Sequence, residues 1–228
     1  MPATLERFVS DTTSIPTDVC MPKTAGRHPG VLVLHGTFGL MPEFRADILS
    51  FGEALAERNI VAAIPHYFER TGTAEGLDAM RASTADLMKW RETCGEALTF
   101  LRDLACVNAG RLGVVGFSLG GRLALTLGMS TPRGTSLKAV VDFFGPTRQP
   151  PLAGNRAALP PVLIHHGTSD QVVPIEDSLT LESELKAAGK IEGVGYRFVK
   201  YPGQGHRFTG PDLVAARKAT VDFLDATL

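Results

Sequence analysis

Fully apolar runs alternate with longer amphipathic stretches along most of the chain. The short runs predict strands, and the stretches with apolar residues at three- and four-residue spacing predict helices. The predicted strands are Val31–Leu34, Ile60–Pro65, Arg111–Gly116, Leu137–Phe144, Pro161–His165 and Val194–Lys200, and the predicted helices are Arg45–Asn59, Thr84–Cys106, Leu119–Gly128, Pro174–Ala188 and Asp212–Leu228. Strands without alternation indicate burial on both faces. The pattern therefore predicts an α/β fold, a mostly parallel, doubly wound sheet, in a single domain over residues 1–228.

The composition is that of an ordinary globular protein. The 228 residues are 44% hydrophobic and 21% charged, with a formal net charge of -1. A chain of this length buries enough surface to fold without a disulfide or a structural metal. Because there is no basic surplus to neutralise a phosphate backbone, nucleic acid is not expected as a partner.

The cysteines and the N-terminal segment predict a cytoplasmic protein. Cys20, Cys94 and Cys106 are odd in number and form no C-x-x-C pair, which favours reduced thiols. The first residues carry acids and a proline where a signal peptide needs an apolar core. The longest uncharged run, His28–Pro42, is broken by glycines and too short to span a bilayer, so no membrane association is expected.

The strongest chemical signal is a G-x-S-x-G motif at residues 116–120. A predicted strand leads into Ser118 and a predicted helix follows at once, which is the setting of a nucleophile elbow. The alternative is the glycine-rich turn of a nucleotide-binding fold. That turn needs G-x-G-x-x-G after the first strand and an acid about twenty residues later, and neither is present. Ser118 is therefore the candidate nucleophile.

Candidates for the base and its orienting acid follow Ser118 in the chain order Ser–acid–His. Asp170 comes shortly after the strand Pro161–His165, and His206 comes after the strand Val194–Lys200. Open α/β sheets keep their sites at the carboxyl ends of the strands, so these residues are expected at one edge. Ser118, Asp170 and His206 are predicted to form a catalytic triad.

A serine hydrolase also needs two fixed N–H donors for the oxyanion. One is expected from Leu119, which follows the nucleophile at the N-terminus of a helix. The other is expected from the turn after Val31–Leu34, where the N–H of Thr37 is the candidate.

Other polar residues near the predicted strand ends have weaker assignments. His35, His165 and His166 are expected to orient loops by hydrogen bonds. A metal site is the alternative for them, but no H-x-H or H-x-x-x-H pairing with acids supports one.

Four residues are candidates for contact with substrate. His66 and Tyr67 follow the second predicted strand and are candidates for the pocket wall. Arg81 and Arg207 are candidates for binding an anionic substrate.

Taken together, these motifs resemble those of the dienelactone hydrolase family of α/β-hydrolases. The resemblance covers nearly the whole chain and is carried by VLVLHGTFGL, IPHYFERTG, RLGVVGFSLGGRLAL, HHGTSDQVVP and YPGQGHRF. It implies an α/β-hydrolase fold of about eight strands without a large lid. It also implies no cofactor and the cleavage of carboxylic esters or lactones through an acyl-enzyme.

Three positions differ from the prototype of that family. Ser118 replaces a cysteine nucleophile, and Gly36 replaces a glutamate that pairs with the resting thiol. These two changes agree, because His206 alone can activate a serine. The prototype's substrate-binding arginine, four residues after the catalytic histidine, corresponds here to Gly210, although Arg207 stands nearby.

The leading hypothesis is a serine carboxylic-ester hydrolase, similar to a carboxymethylenebutenolidase, that acts on a small-molecule ester or lactone as a monomer or small homo-oligomer. Two alternatives stay open. GFSLGG and the late Gly-His also resemble acyl-protein thioesterases, although HYFERTG fits dienelactone hydrolases better. The other alternative is a non-catalytic hydrolase fold that binds a small ligand.

Overall fold

Eight strands form one sheet in this computed structural model, which describes residues 3–130 and 136–228. The strands are β1 (Thr4–Ser10), β2 (Thr13–Cys20), β3 (His28–Leu34), β4 (Val61–Pro65), β5 (Val107–Phe117), β6 (Leu137–Phe143), β7 (Val162–Gly167) and β8 (Tyr196–Tyr201). The order across the sheet is β1-β2-β4-β3-β5-β6-β7-β8. The strands from β4 to β8 in this order pair in parallel, while β1–β2 and β2–β4 are antiparallel. The predicted fold class is confirmed.

Within the described ranges, five α-helices cover the two faces of the sheet. They are α1 (Pro42–Glu57), α2 (Thr84–Asp103), α3 (Leu119–Met129), α4 (Glu176–Ala187) and α5 (Gly210–Thr227). Helices α2, α3 and α4 share one hydrophobic cluster with the sheet, and α1 and α5 share the other. The observed boundaries lie within a few residues of the predicted ones. Helix α1 begins at Pro42 rather than Arg45, because the fixed φ of proline suits the first helical position.

The chain reverses its direction of winding at β3. After β3 it builds β4 on one side, and it then returns to place β5 on the other side of β3. The carboxyl ends of β3 and β5 are therefore adjacent at a switch point, where open α/β sheets bind their ligands. The turn at residues 35–39 follows β3, and Ser118 follows β5.

The N-terminal hairpin of β1 and β2 is absent from the sequence-based prediction. Most of β1 is exposed, including Leu5 and Val9 on the edge of the sheet, so it has no buried face to give a clear pattern. Asp11, with φ 51°, makes the tight turn between the two strands. Pairing of β2 with β4 extends the sheet away from the predicted site.

Over the described residues, no helix has the length and apolar character needed to cross a membrane.

Candidate active site

Ser118 lies in a strained turn between β5 and α3. Its φ of 54° and ψ of -116° place a non-glycine residue in a region that L-residues seldom adopt. The flanking glycines leave room for this turn. A Cβ at Gly116 would lie 2.0 Å from the carbonyl oxygen of Gly120, and one at Gly120 would lie 2.3 Å from that of Leu34. The motif is therefore a steric requirement of the elbow.

The three residues predicted as a triad meet in space. Ser118 Oγ lies 2.8 Å from His206 Nε2, and His206 Nδ1 lies 2.7 Å from Asp170 Oδ2. With Nδ1–H donating to the carboxylate, Nε2 is left to accept the proton of the serine hydroxyl. This is the geometry of a nucleophile, a base and a group that orients the base.

The carboxylate of Asp170 is held by more than His206. Oδ1 accepts hydrogen bonds from the backbone N–H groups of Val172, at 2.9 Å, and Val173, at 3.0 Å. Oδ2 also lies 3.4 Å from Nε2 of His166. Burial raises the pKa of Asp170, but the hydrogen bonds from His166 and His206 outweigh burial and hold this pKa well below its usual range. The site therefore keeps an ionised carboxylate beside His206.

His166 was expected to orient a loop, and the structure gives it a specific contact set. The ring is fully buried; Nε2 donates to the carbonyl of Val173 at 2.8 Å, and Nδ1 accepts from the hydroxyl of Ser178 at 2.6 Å. It thereby fixes the turn that carries Asp170. The contact of His166 with the carboxylate of Asp170 was not anticipated from the sequence; the His-Gly pair at the end of a strand is its only local signal.

His35 and His165 are buried and also hold backbone near the site. His35 Nδ1 donates to the carbonyl of Gly36 at 2.9 Å, and His165 Nδ1 lies 2.9 Å from the hydroxyl of Tyr201. Burial lowers the pKa of each histidine to about 3, so both rings are neutral near neutral pH.

The turn after β3 packs against the nucleophile. A Cβ at Gly36 would lie 3.3 Å from the Cβ of Ser118, and Thr37 lines the same cavity as Ser118. Within the described ranges, the backbone N–H groups of Thr37 and Leu119 have no hydrogen-bond partner. The two N–H groups that are predicted to bind the oxyanion are therefore free to donate a hydrogen bond.

Tyr67 and His66 lie away from the cavity that Ser118 faces. Tyr67 is fully buried, stacks on His35 at 4.0 Å between ring centroids, and donates its hydroxyl to the carbonyl of His35 at 2.7 Å. His66 Nε2 is paired with the buried Asp18 at 2.8 Å. Tyr67 thus packs against the turn after β3 and holds it by a hydrogen bond. Neither Tyr67 nor His66 lines the cavity.

The cavity beside Ser118 and His206 is mainly aromatic. Its volume is about 120 Å³, and its aliphatic lining comes from α1, from α5, from a short 3-10 segment through Met80 and from the loop that carries Val172. Seven of the twelve phenylalanines line it, which makes it an apolar binding site: Phe38, Phe44, Phe51, Phe117, Phe143, Phe144 and Phe208. This lining could not be predicted from the sequence, because these residues are spread over the chain and meet only in the fold.

Arg207 lines this cavity, whereas Arg81 does not. Arg207 donates from Nε to Asp47 Oδ2 at 2.9 Å and from Nη2 to the carbonyl of Glu43 at 2.8 Å. Arg81 is exposed at the end of a short 3-10 segment, whereas its neighbour Met80 lines the cavity. Asp47, which no motif in the sequence marks, is therefore the partner of the predicted anion-binding arginine.

Across residues 3–130 and 136–228, no group of three or more His, Cys, Asp or Glu side chains is arranged to hold a metal ion.

The sheet with its switch point, the serine in a strand-to-helix elbow and the histidine that faces it define an α/β-hydrolase. The model of the dienelactone hydrolase family matches residues 15–227, and the chain belongs to that family. This confirms the family predicted from the motifs, and with it the predicted hydrolase class.

Relatives with curated descriptions are distant in sequence. The chain is 26% identical over 213 residues to the "Putative carboxymethylenebutenolidase" of Methylorubrum extorquens, covering 85% of this chain and 68% of that protein. It is 27% identical over 201 residues to the "Probable 2-oxo-3-(5-oxofuran-2-ylidene)propanoate lactonase" of a Bradyrhizobium species, covering 82% of this chain and 76% of that protein.

Among solved structures, the fold is similar to that of a "Putative Dienelactone Hydrolase" from Klebsiella pneumoniae. The TM-score is 0.79 at 20% sequence identity, and the match covers 99% of this chain and 98% of that one. This likeness supports the α/β-hydrolase fold.

Proposed function

We propose that this protein is a serine hydrolase that cleaves carboxylic esters or lactones through an acyl-enzyme. Ser118 is the nucleophile, His206 the general base and acid, and Asp170 the group that orients His206. The observation that carries the proposal is the unbroken chain of hydrogen bonds from Ser118 Oγ through the imidazole to Asp170. A protein that only binds a ligand has no use for this alignment.

In the first half of the reaction, Ser118 Oγ attacks the carbonyl carbon and its proton passes to His206 Nε2. The oxyanion that forms is stabilised by the free N–H groups of Leu119 and Thr37, which lie in fixed positions before the reaction begins. The carboxylate of Asp170 stabilises the imidazolium and keeps the ring in the productive tautomer. Collapse of the tetrahedral intermediate breaks the ester bond, and the leaving oxygen takes the proton from His206.

In the second half, water attacks the acyl-enzyme. His206 Nε2 accepts a proton from the water, the oxyanion re-forms in the same hole, and the acid leaves as Ser118 recovers its proton. Apart from the attacking water, each step uses only side chains and N–H groups of this chain, so we propose that catalysis needs no cofactor.

The family relatives support an oxygen ester or a lactone as the bond that is cleaved. One is described as a "Putative carboxymethylenebutenolidase" and the other as a "Probable 2-oxo-3-(5-oxofuran-2-ylidene)propanoate lactonase". The same steps cleave both bonds, because a lactone is a cyclic ester whose leaving oxygen stays attached to the acyl group.

We also propose that the protein works in the cytoplasm on a small molecule, as a monomer or small homo-oligomer. All three cysteines, Cys20, Cys94 and Cys106, are free thiols, as is usual in a reducing compartment.

A panel of carboxylic esters and lactones, tested with the wild-type protein and with Ser118→Ala, tests the function. We expect hydrolysis of at least one neutral aryl ester by the wild type and its near-complete loss in Ser118→Ala, with unchanged circular dichroism. Equal hydrolysis by the two proteins would contradict the proposal.

A further inference from the structure

The size and lining of the cavity restrict what it can bind. Its volume of about 120 Å³ is near the roughly 150 Å³ of an apolar protein cavity that binds benzene. The walls are largely phenylalanine rings and aliphatic side chains. A charged group that enters the cavity loses its hydrogen bonds to water, and these side chains offer none in return. Moving a carboxylate from water into such a space is costly unless a cation or donors receive it.

Among the described residues that line the cavity, Arg207 is the one lysine or arginine, and its guanidinium is already engaged. Its Nε and Nη2 atoms lie 2.9 Å and 2.8 Å from the same oxygen of Asp47, and Nη2 also donates to the carbonyl of Glu43. The guanidinium lies 5.2 Å from the centroid of the Phe44 ring, which fixes its plane against α1. Because Asp47 also lines the cavity, the rim carries one positive and one negative charge that offset each other.

We propose that this cavity takes a neutral aryl or short apolar group of the ester, and that the Arg207–Asp47 pair discriminates against substrates carrying a carboxylate there. This inference deepens the proposed function and rests on Ser118 acting beside the cavity. Arg207 then tethers the loop of His206 to α1 and does not act as an anion clamp.

The test compares two esters with the same aryl acetate skeleton, methyl 4-acetoxybenzoate and 4-acetoxybenzoate. Each kcat/KM is divided by the rate constant for hydrolysis by hydroxide, which corrects for the leaving group. We expect the neutral ester to be favoured by more than roughly tenfold, the lower end of what a charged hydrogen bond contributes to discrimination. Equal use of the two esters, or a preference for the acid, would overturn the proposal.

Asp47→Asn tests the role of the pair. Removing the partner charge frees Arg207 to meet a carboxylate, so the ratio of the two kcat/KM values is expected to shift toward the acid-bearing ester by roughly tenfold. Asp225→Asn is the matched control, because Asp225 pairs with Arg58 on the exposed surface away from the cavity, at 3.0 Å. An unchanged ratio in Asp47→Asn, or an equal shift in Asp225→Asn, would contradict the assignment.

Binding to Ser118→Ala separates this inference from the proposed function. Titration calorimetry with methyl 4-hydroxybenzoate and with 4-hydroxybenzoate measures the preference of the cavity without any catalysis. Tighter binding of the neutral compound supports the cavity assignment even if neither ester is hydrolysed, in which case only the proposed function fails. Tighter binding of the anion, or no binding of either compound, overturns the assignment.

Discussion

The carboxylate of Asp170 lies 2.7 Å from Nδ1 of His206 and directs the other nitrogen of the ring toward Ser118. The loop that carries Asp170 is itself fixed by His166, so the orientation of the His206 ring depends on a buried side chain that lies outside the cavity. Besides His206, the carboxylate of Asp170 contacts two backbone N–H groups and the ring of His166. These three contacts hold the carboxylate in position without His206.

Asp170→Asn is therefore expected to leave the fold intact and to lower turnover by about four orders of magnitude, as an incorrectly held tautomer does in a serine protease. The asparagine side chain can still accept the N–H groups of Val172 and Val173 while failing to hold Nδ1–H on His206. Steady-state kinetics on a neutral aryl ester, together with thermal unfolding, measure both effects. Turnover within tenfold of the wild type would show that Asp170 does not orient His206.

Thr37→Ala separates the backbone of the turn after β3 from its side chain. We expect less than about a tenfold change in kcat/KM, because the proposed donor is the N–H, which alanine retains, whereas loss of an oxyanion donor costs about 100- to 1000-fold. The measurement is kcat/KM for one aryl ester at a single pH. A loss above 100-fold would assign the donor to the threonine hydroxyl instead.

The meeting of the three predicted triad residues could be predicted from the sequence, because each of them comes shortly after the carboxyl end of a strand. Parallel strands bring their carboxyl ends to one edge, so Ser118, Asp170 and His206 converge although 88 residues separate the first from the last. The same pattern gave no sign of β1, whose exposed faces carry no burial signal.

The roles of Arg207 and Tyr67 could not be read from the sequence. Arg207 stands beside His206 in the chain, but its pairing with Asp47 joins positions 160 residues apart. Tyr67 follows a strand, as the residues of the predicted triad do, yet its ring turns inward onto His35. Side-chain direction in such loops depends on tertiary packing, which spacing does not encode.

The buried carboxyl group of Asp142 is the basis of a separate prediction about stability. It is fully buried on β6; Oδ1 accepts from the N–H of Gly145 at 3.0 Å, and Oδ2 has no partner within the part of the chain that the structure describes. Burial raises the pKa of Asp142 to about 7, although His166 and the N–H of Gly145 oppose the change. The folded state therefore holds this proton more tightly than the unfolded state, whose carboxyl titrates near 3.8.

The contribution of Asp142 to the free energy of unfolding is then complete below about pH 4 and is lost as pH rises through about 7. Asp142→Asn does not lose stability in this way, because asparagine has no carboxyl group to titrate. We expect the unfolding free energy of the variant, relative to the wild type, to increase between pH 4.5 and 8 by an amount on the order of a few kcal/mol. Urea titrations of both proteins at the two pH values measure this change in the free energy of unfolding. The same difference between variant and wild type at both pH values would contradict a raised pKa of Asp142.

The most direct measurement is labelling with a fluorophosphonate probe, read by intact mass and by peptide mapping. A serine that is activated by His206 displaces fluoride and forms a stable phosphonyl ester, so one probe is expected per chain, attached at Ser118. Labelling should be much slower in His206→Ala and absent in Ser118→Ala. A folded wild-type protein that stays unlabelled, or that carries the probe at another residue, would contradict the account of Ser118 as the activated nucleophile.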